Sequence, residues 1–281
     1  MSSDVLTPVV EVAAEVRGKP TVLRLAWAWV WPKALAILLV FAVWQVVVWS
    51  GWRPTYVLPS PATTLAELGR MVGTERFWSA VTTTLTRAVL GFALALVIGS
   101  VIGILVARVR PLRLAVGSLI TGLQTMPSIA WFPLAILLFG LNEAAILFVV
   151  VLGAAPSIAN GVIAGIDQVP PAFRKLGHVL GAGPIALYRS IVIPAALPGY
   201  VQGLTQGWAF AWRSLMAGEL LVIIADSPSL GAQLEFARQF SKAPQLLATM
   251  LVILVIGMVV DSVFATVSRS LRRRRGLMVD A

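Results

Sequence analysis

The chain has no cysteine, one histidine and few charges: only 12% of its 281 residues are Asp, Glu, Lys or Arg. Without thiols there is neither a disulfide framework nor thiolate chemistry. His178 has no second histidine and no carboxylate close to it in sequence, so it lacks the partners of a metal ligand or a general base. It reads as a polar surface residue. No G-x-x-x-x-G-K-[ST] loop occurs, so the chain has no phosphate cradle with which to use ATP. What it has in excess is apolar surface, 58% hydrophobic residues with a mean hydropathy of +0.89. A soluble domain that apolar could not cover itself with polar groups. The expectation is an all-α integral membrane helical bundle and no enzyme.

A bilayer core of about 30 Å takes about 20 apolar helical residues. Such runs fall at Ala34 to Trp52, Ala88 to Val106, Leu114 to Leu141, Ala144 to Ile166, Leu197 to Ile224 and Gln245 to Val260. The third is 28 residues long and carries Pro127 and Pro133. Read as one Pro-broken helix it gives six transmembrane helices. Read as two, it gives seven and puts the chain ends on opposite sides.

Charge separates the two counts. With six spans, both termini and the segments 107–113 and 167–196 share one side. That side then holds Arg17, Lys19, Arg24, Lys33, Arg108, Arg110, Arg113, Arg174, Lys175, Arg189, Arg269 and Arg272 to Arg275, which is 15 of the 22 basic residues. Lys and Arg accumulate in cytoplasmic loops, so six spans with both termini cytoplasmic is the reading. The same bias accounts for the net charge of +10 without a nucleic-acid partner.

The organisation follows. Residues 1–33 form a cytoplasmic tail and interfacial segment, 34–268 the transmembrane body, and 269–281 a basic cytoplasmic tail. The first apolar run starts late and is too long for the core of a cleaved signal. Residues 1–17 read as poorly ordered, and Trp27, Trp29 and Trp31 as an interfacial aromatic belt. Pro61 and the following threonines read as a helix entry with a Thr cap. Leu65, Leu68, Met71 and Val72 then give a short amphipathic helix on the outer surface.

The segment 167–196 is the most specific feature. Pro170 and Pro171 start a new element, Gly181 and Gly183 allow a sharp reversal, and Pro184 can begin a second short helix. Pro194 and Pro198 separate that helix from the fifth span. The product is a rigid knob able to sit in a groove on another protein. Gly181, a nine-residue gap, Ile191, Ile193 and Pro194 resemble the cytoplasmic coupling pattern E-A-A-x-x-x-G, nine residues, I-x-L-P, of permease subunits of binding-protein-dependent ABC importers. Lys175, Leu176 and Gly177 stand where Glu-Ala-Ala would be. VLPSPA at 57–62, the second span and MPSIAWFPLAILLFG at 126–140 resemble the sulfonate, taurine and nitrate permeases among them. The resemblance implies the type I ABC importer permease fold in the bacterial inner membrane. It also implies a second copy of the chain, two ATPase subunits that bind ATP and Mg, and an extracytoplasmic substrate-binding protein. This chain itself would carry no cofactor.

Arg213 and Glu219 are charges inside a span, and such residues usually face a pathway or a partner. Six positions apart on a helix, they point to different sides, so they do not pair with each other. Arg213, beside Trp212, suits an oxyanion in a pore, because guanidinium donors match such oxygens. A salt bridge to another span, or snorkelling to the interface, is the other reading. Asp261 reads as interfacial. Glycines four apart, Gly199, Gly203 and Gly207, Gly99 and Gly103, Gly161 and Gly165, suit close helix packing within the subunit or at a dimer seam. The cargo expected is a sulfonate, taurine or nitrate-like anion. A non-anionic cargo in the same family, and an ion-coupled secondary transporter, are the alternatives.

Overall fold

The computed structural model describes residues 22–274. The expectations for residues 1–17, for the side chains of Trp27, Trp29 and His178, and for the chain beyond 274 lie outside the described residues. Every regular element among those described is helical. The chain divides into two compact units between Thr63 and Thr64.

In the first unit, α1 (Val22–Trp49) runs through Pro32 and into the first apolar run. The indole Nε1 of Trp44 donates to the Pro59 carbonyl (3.1 Å), which folds the following turn back on the helix. Helix α2 (Pro61–Val72) carries the boundary, with most of its length in the second unit. Its cap is the Ser60 hydroxyl, which accepts the Thr63 amide (3.2 Å), so the cap is Ser60 rather than a threonine. Met71 is buried with Phe77 and Ala248, and Leu68 packs beside them.

Helix α3 (Glu75–Arg108) begins 13 residues before the apolar run that announces it, capped by Thr74. Arg87 ends the hydropathy signal but not the helix, because its charge is neutralised inside the bundle. Its buried face, from Phe77 through Thr84, Gly91, Ala95 and Gly99 to Val106, is mostly small residues at helical spacing.

The third run is α4 (Arg110–Thr125), a 3₁₀ turn at Ser128–Trp131 and α5 (Phe132–Phe139). The two arms are bent by 104° at Met126–Pro127. Proline removes a donor and disfavours helix in the residue before it, so the chain turns there instead of crossing straight. Among the described residues five helices are long and apolar enough to cross a bilayer, and the bent pair as one span makes six.

Helix α6 (Glu143–Asp167) is the buried centre, apolar nearly all round as a core helix must be. It packs against α3 on one side and α9 (Ile193–Leu221) on the other. The glycines make that second seam. A Cβ on Gly161 would lie 2.5 Å from the Gly203 Cα, and one on Gly199 2.6 Å from the Gly165 Cα. Only glycine permits this backbone approach, and in lipid such packing is a main source of association. Phe132, Ile146, Ile158 and Leu215 fill the core beside it.

Between α6 and α9 lie α7 (Pro171–Val179), α8 (Pro184–Leu187) and a π turn at Tyr188–Val192. The π turn runs straight into α9, so Pro194 and Pro198 do not separate the knob from the fifth span. Pro194 sits in the first turn, where no helical donor is needed. Helix α10 (Leu230–Gln239) and the last span α11 (Ala243–Arg274) complete the chain.

Candidate functional site

At the end of the bundle away from the knob, four elements meet on one cluster of charge. Arg87 Nη1 donates to Glu219 Oε1 (3.0 Å), while its Nε and Nη2 donate to the two oxygens of Glu143 (2.8 and 2.6 Å). Its Nη2 also reaches the Ser227 hydroxyl (3.0 Å). The Thr84 hydroxyl donates to the Glu219 carboxylate and accepts the Leu230 amide (3.0 Å). The Gly231 amide donates to Glu219 Oε2 (3.0 Å). Glu219 is fully enclosed and Arg87 nearly so. A buried carboxylate this completely engaged is satisfied, and it ties α3, α6 and the start of α10 to the end of α9. Glu219 thus stands in the interspan salt bridge that was one of its readings, and it presents no open oxygen to a passing solute.

Arg213 sits differently. It lies six residues back on the same helix, is exposed, and packs its guanidinium 5.4 Å from the centre of the Phe210 ring. Among the described residues it makes no ion pair. Gln202, Gln206 and Arg213 are exposed at spacings of four and seven, so they form one stripe along α9. An exposed polar stripe at membrane depth has to meet water or another protein. Trp212 is half-buried, stacked on Trp208 with ring centres 6.2 Å apart, and lies against Gly257 of α11. It stiffens the wall beside the stripe.

At the other end, the knob is two helical arms about a glycine turn. Gly181 has φ +72°, the left-handed conformation a side chain resists. Gly177 lets the arms close: a Cβ there would lie 2.4 Å from Leu187 Cδ1 and 2.8 Å from Ile191 Cδ1. Val169, Leu187, Val192 and Ala196 make a small core that welds the second arm to α9, with Ile191 packed against it. Arg108 stacks on the Tyr188 ring (4.6 Å), and Arg113 forms a fork-like pair with Asp167. The outward face is the reverse of a solvated loop. Phe173, Leu176, Val179, Leu180 and Ile185 are exposed, the last at 84%, with Lys175 among them. A contiguous apolar face outside the spans marks a protein contact. Ile193 is exposed and Pro194 half-buried at the root of α9.

Residues 95–273 match the family of binding-protein-dependent transport system inner membrane components. The chain belongs to that family. It is a multi-pass membrane permease, and its relatives are transport components rather than enzymes. It is 29% identical over 264 residues to the putative aliphatic sulfonates transport permease protein SsuC of Bacillus subtilis, covering 94% of this permease and 93% of that one. With the nitrate import permease protein NrtB of Synechocystis it shares 27% identity, over 83% and 86% of the two chains. Among solved structures, the methionine ABC transporter MetNI in an inward-facing conformation matches with a TM-score of 0.59 and 20% identity. That match covers 70% of the permease and 96% of the other chain, and it shows the type I importer permease fold.

Sequence reasoning singled out the knob residues and Arg213, and the structure places them on two separate surfaces. It missed the partners of Glu219. The available signal was depth: Arg87, Glu143 and Glu219 all lie at the same end of their spans, where opposite charges can neutralise one another. Among the described residues no cluster of three or more His, Cys, Asp or Glu could hold a metal.

Proposed function

We propose that the permease carries a small anion of the sulfonate, taurine or nitrate class into the cytoplasm across the bacterial inner membrane. It would act as a homodimer, with residues 34–268 as its body and both termini cytoplasmic. Two ATPase subunits, binding ATP and Mg, would dock on the knobs, and an extracytoplasmic binding protein would deliver the cargo. The observation that carries the cargo class is the open guanidinium of Arg213 at the head of the Gln202–Gln206 stripe. Of the three residues expected along the pathway, Arg213 faces the route, while Glu219 and Trp212 hold its wall. The exposed apolar face of the knob supports the ATPase contact, with Lys175, Leu176, Gly177 and Gly181 shaping it and Ile191, Ile193 and Pro194 joining it to α9.

The test is uptake by proteoliposomes holding the permease, its ATPase and the loaded binding protein. Arg213→Gln should cut uptake of sulfonate or nitrate by at least about tenfold, the low end of a lost charged hydrogen bond. Unchanged uptake and substrate dependence would remove the pathway role. Gly181→Trp finds open space but a strained φ. It should still insert, yet lose uptake and stimulated ATP hydrolysis together. Normal transport by that variant would remove the coupling role of the knob.

A further inference from the structure

A second polar feature lies further along the α9 stripe, towards the knob. A cavity of about 700 Å³ opens between Gln202, Thr205 and Gln206 of α9 and Asp261, Ser268 and Arg269 of α11. Asp261 reads from sequence as interfacial, yet here it faces amide and hydroxyl side chains across a cleft at membrane depth. An ionised side chain in such a place marks a solute path far more often than it marks lipid.

The two charges in the cavity are of opposite sign, and they do not pair. Among the described residues Asp261 has no ion pair. Arg269 donates from Nε to the Ala265 carbonyl (3.3 Å) and from Nη2 to the Thr266 hydroxyl (3.4 Å), both long. Those contacts show the guanidinium leaning back along the helix towards Asp261, as helical side chains do, rather than away to the headgroups. Eight residues apart, the two backbone positions are separated by about 12 Å of rise, and the lean shortens the gap between the charges. An exposed carboxylate and an exposed guanidinium that line one cavity beside two glutamine amides are complementary to a solute with both charges on one small frame. A carboxylate in this position repels a plain anion.

We propose that this cavity is a subsite for a zwitterion, with Asp261 taking an ammonium group and Arg269 the acid group of the same solute. The proposal rests on the anion-pathway reading of Arg213 and narrows it to acids that also carry an amine. The glutamines complete the shell, since each amide offers a donor and an acceptor to whichever end lies near it.

The experiment is equilibrium binding of radiolabelled taurine to the permease–ATPase complex in lipid nanodiscs without nucleotide, so that no binding protein filters the cargo. Competitors are ethanesulfonate, which keeps the acid and lacks the amine, and nitrate. The intact complex should prefer taurine to ethanesulfonate by at least about tenfold, the size of one charged hydrogen bond. Asp261→Asn should bring the two level, Asp261→Glu should retain the preference, and Arg269→Gln should weaken both. Equal binding of taurine and ethanesulfonate by the intact complex overturns the zwitterion subsite and leaves the anion reading standing, as does a preference that survives Asp261→Asn. Binding of none of the three solutes overturns both readings.

Discussion

Glu219 and Arg213 share one helix, six residues apart, and have opposite fates. Glu219 is enclosed and takes hydrogen bonds from Arg87, Thr84 and the Gly231 amide. Arg213 is exposed and has a phenyl ring for company. The difference shows how a permease uses expensive residues. Where charges meet their opposites inside the bundle, they fix the geometry of four elements at once. Where a charge is left open at membrane depth with only a ring beside it among the described residues, water, a solute or a partner has to offset its cost. Sequence reads the two as equivalent, and only the neighbours tell them apart.

That contrast can be broken most severely at Glu219. Glu219→Ala takes one of two carboxylates from the buried Arg87 and strips the Thr84 hydroxyl and the Gly231 amide of their acceptor, and it should cost about 3–5 kcal/mol, read as a large fall in thermal unfolding temperature in lipid. Replacing both partners, Arg87→Met with Glu219→Leu, should recover much of that loss. If the double variant is no better than the single, the cluster does more than neutralise itself. Next in size is Gly203→Val. Any Cβ there meets the Gly161 backbone at 2.5 Å, so the variant should destabilise by about 1–3 kcal/mol in the same scan. Arg213→Gln should stay within about 0.5 kcal/mol of the parent while uptake collapses, because its side chain supports no neighbour. A loss of stability as large as that of Glu219→Ala would erase the distinction between the two charges.

The smallest effect is expected at a charge pair in water. On α10, Arg238 holds the Glu235 carboxyl well below the usual carboxylate range, at about 2, with help from Gln239. A depressed folded value means the stabilisation is present above the ordinary value near 4.5 and is lost as pH falls through about 2. Amide exchange on α10 should therefore speed up as pH falls across that window, beyond the chemical trend. Glu235→Gln should remove the excess.

Much of the fold was legible because hydropathy reports span length well. The run at 144–166 became α6 with its ends moved by one residue each, since nothing charged lies inside it. The run at 88–106 was short by 13 residues at its start, because Arg87 looks like an end until its partners on other spans are known. The bend at Pro127 was visible as a break, but its angle depends on what the two arms pack against. At the knob, local rules were enough: a proline start, a glycine reversal and a second proline start all appear where expected. They failed at Pro194, where the π turn absorbs the mismatch, and at Pro198, which the helix simply accommodates in its interior. Arg213 was recognisable as a charge in a span. The stripe it heads, and the cavity of Asp261, needed the helix faces to be placed.

The seam of glycines between α6 and α9 has a mechanical consequence. With backbone against backbone there is no layer of side chains to compress, so the two helices behave as one stiff bar. The run from Pro184 through Leu221 is continuous, which joins that bar to the knob without a hinge. By rise alone α9 is about 43 Å long, so tilting it by about 10° at the knob swings the Glu219 end through about 7.5 Å. A small stroke delivered at the base of such a bar would become a wide one at its far end.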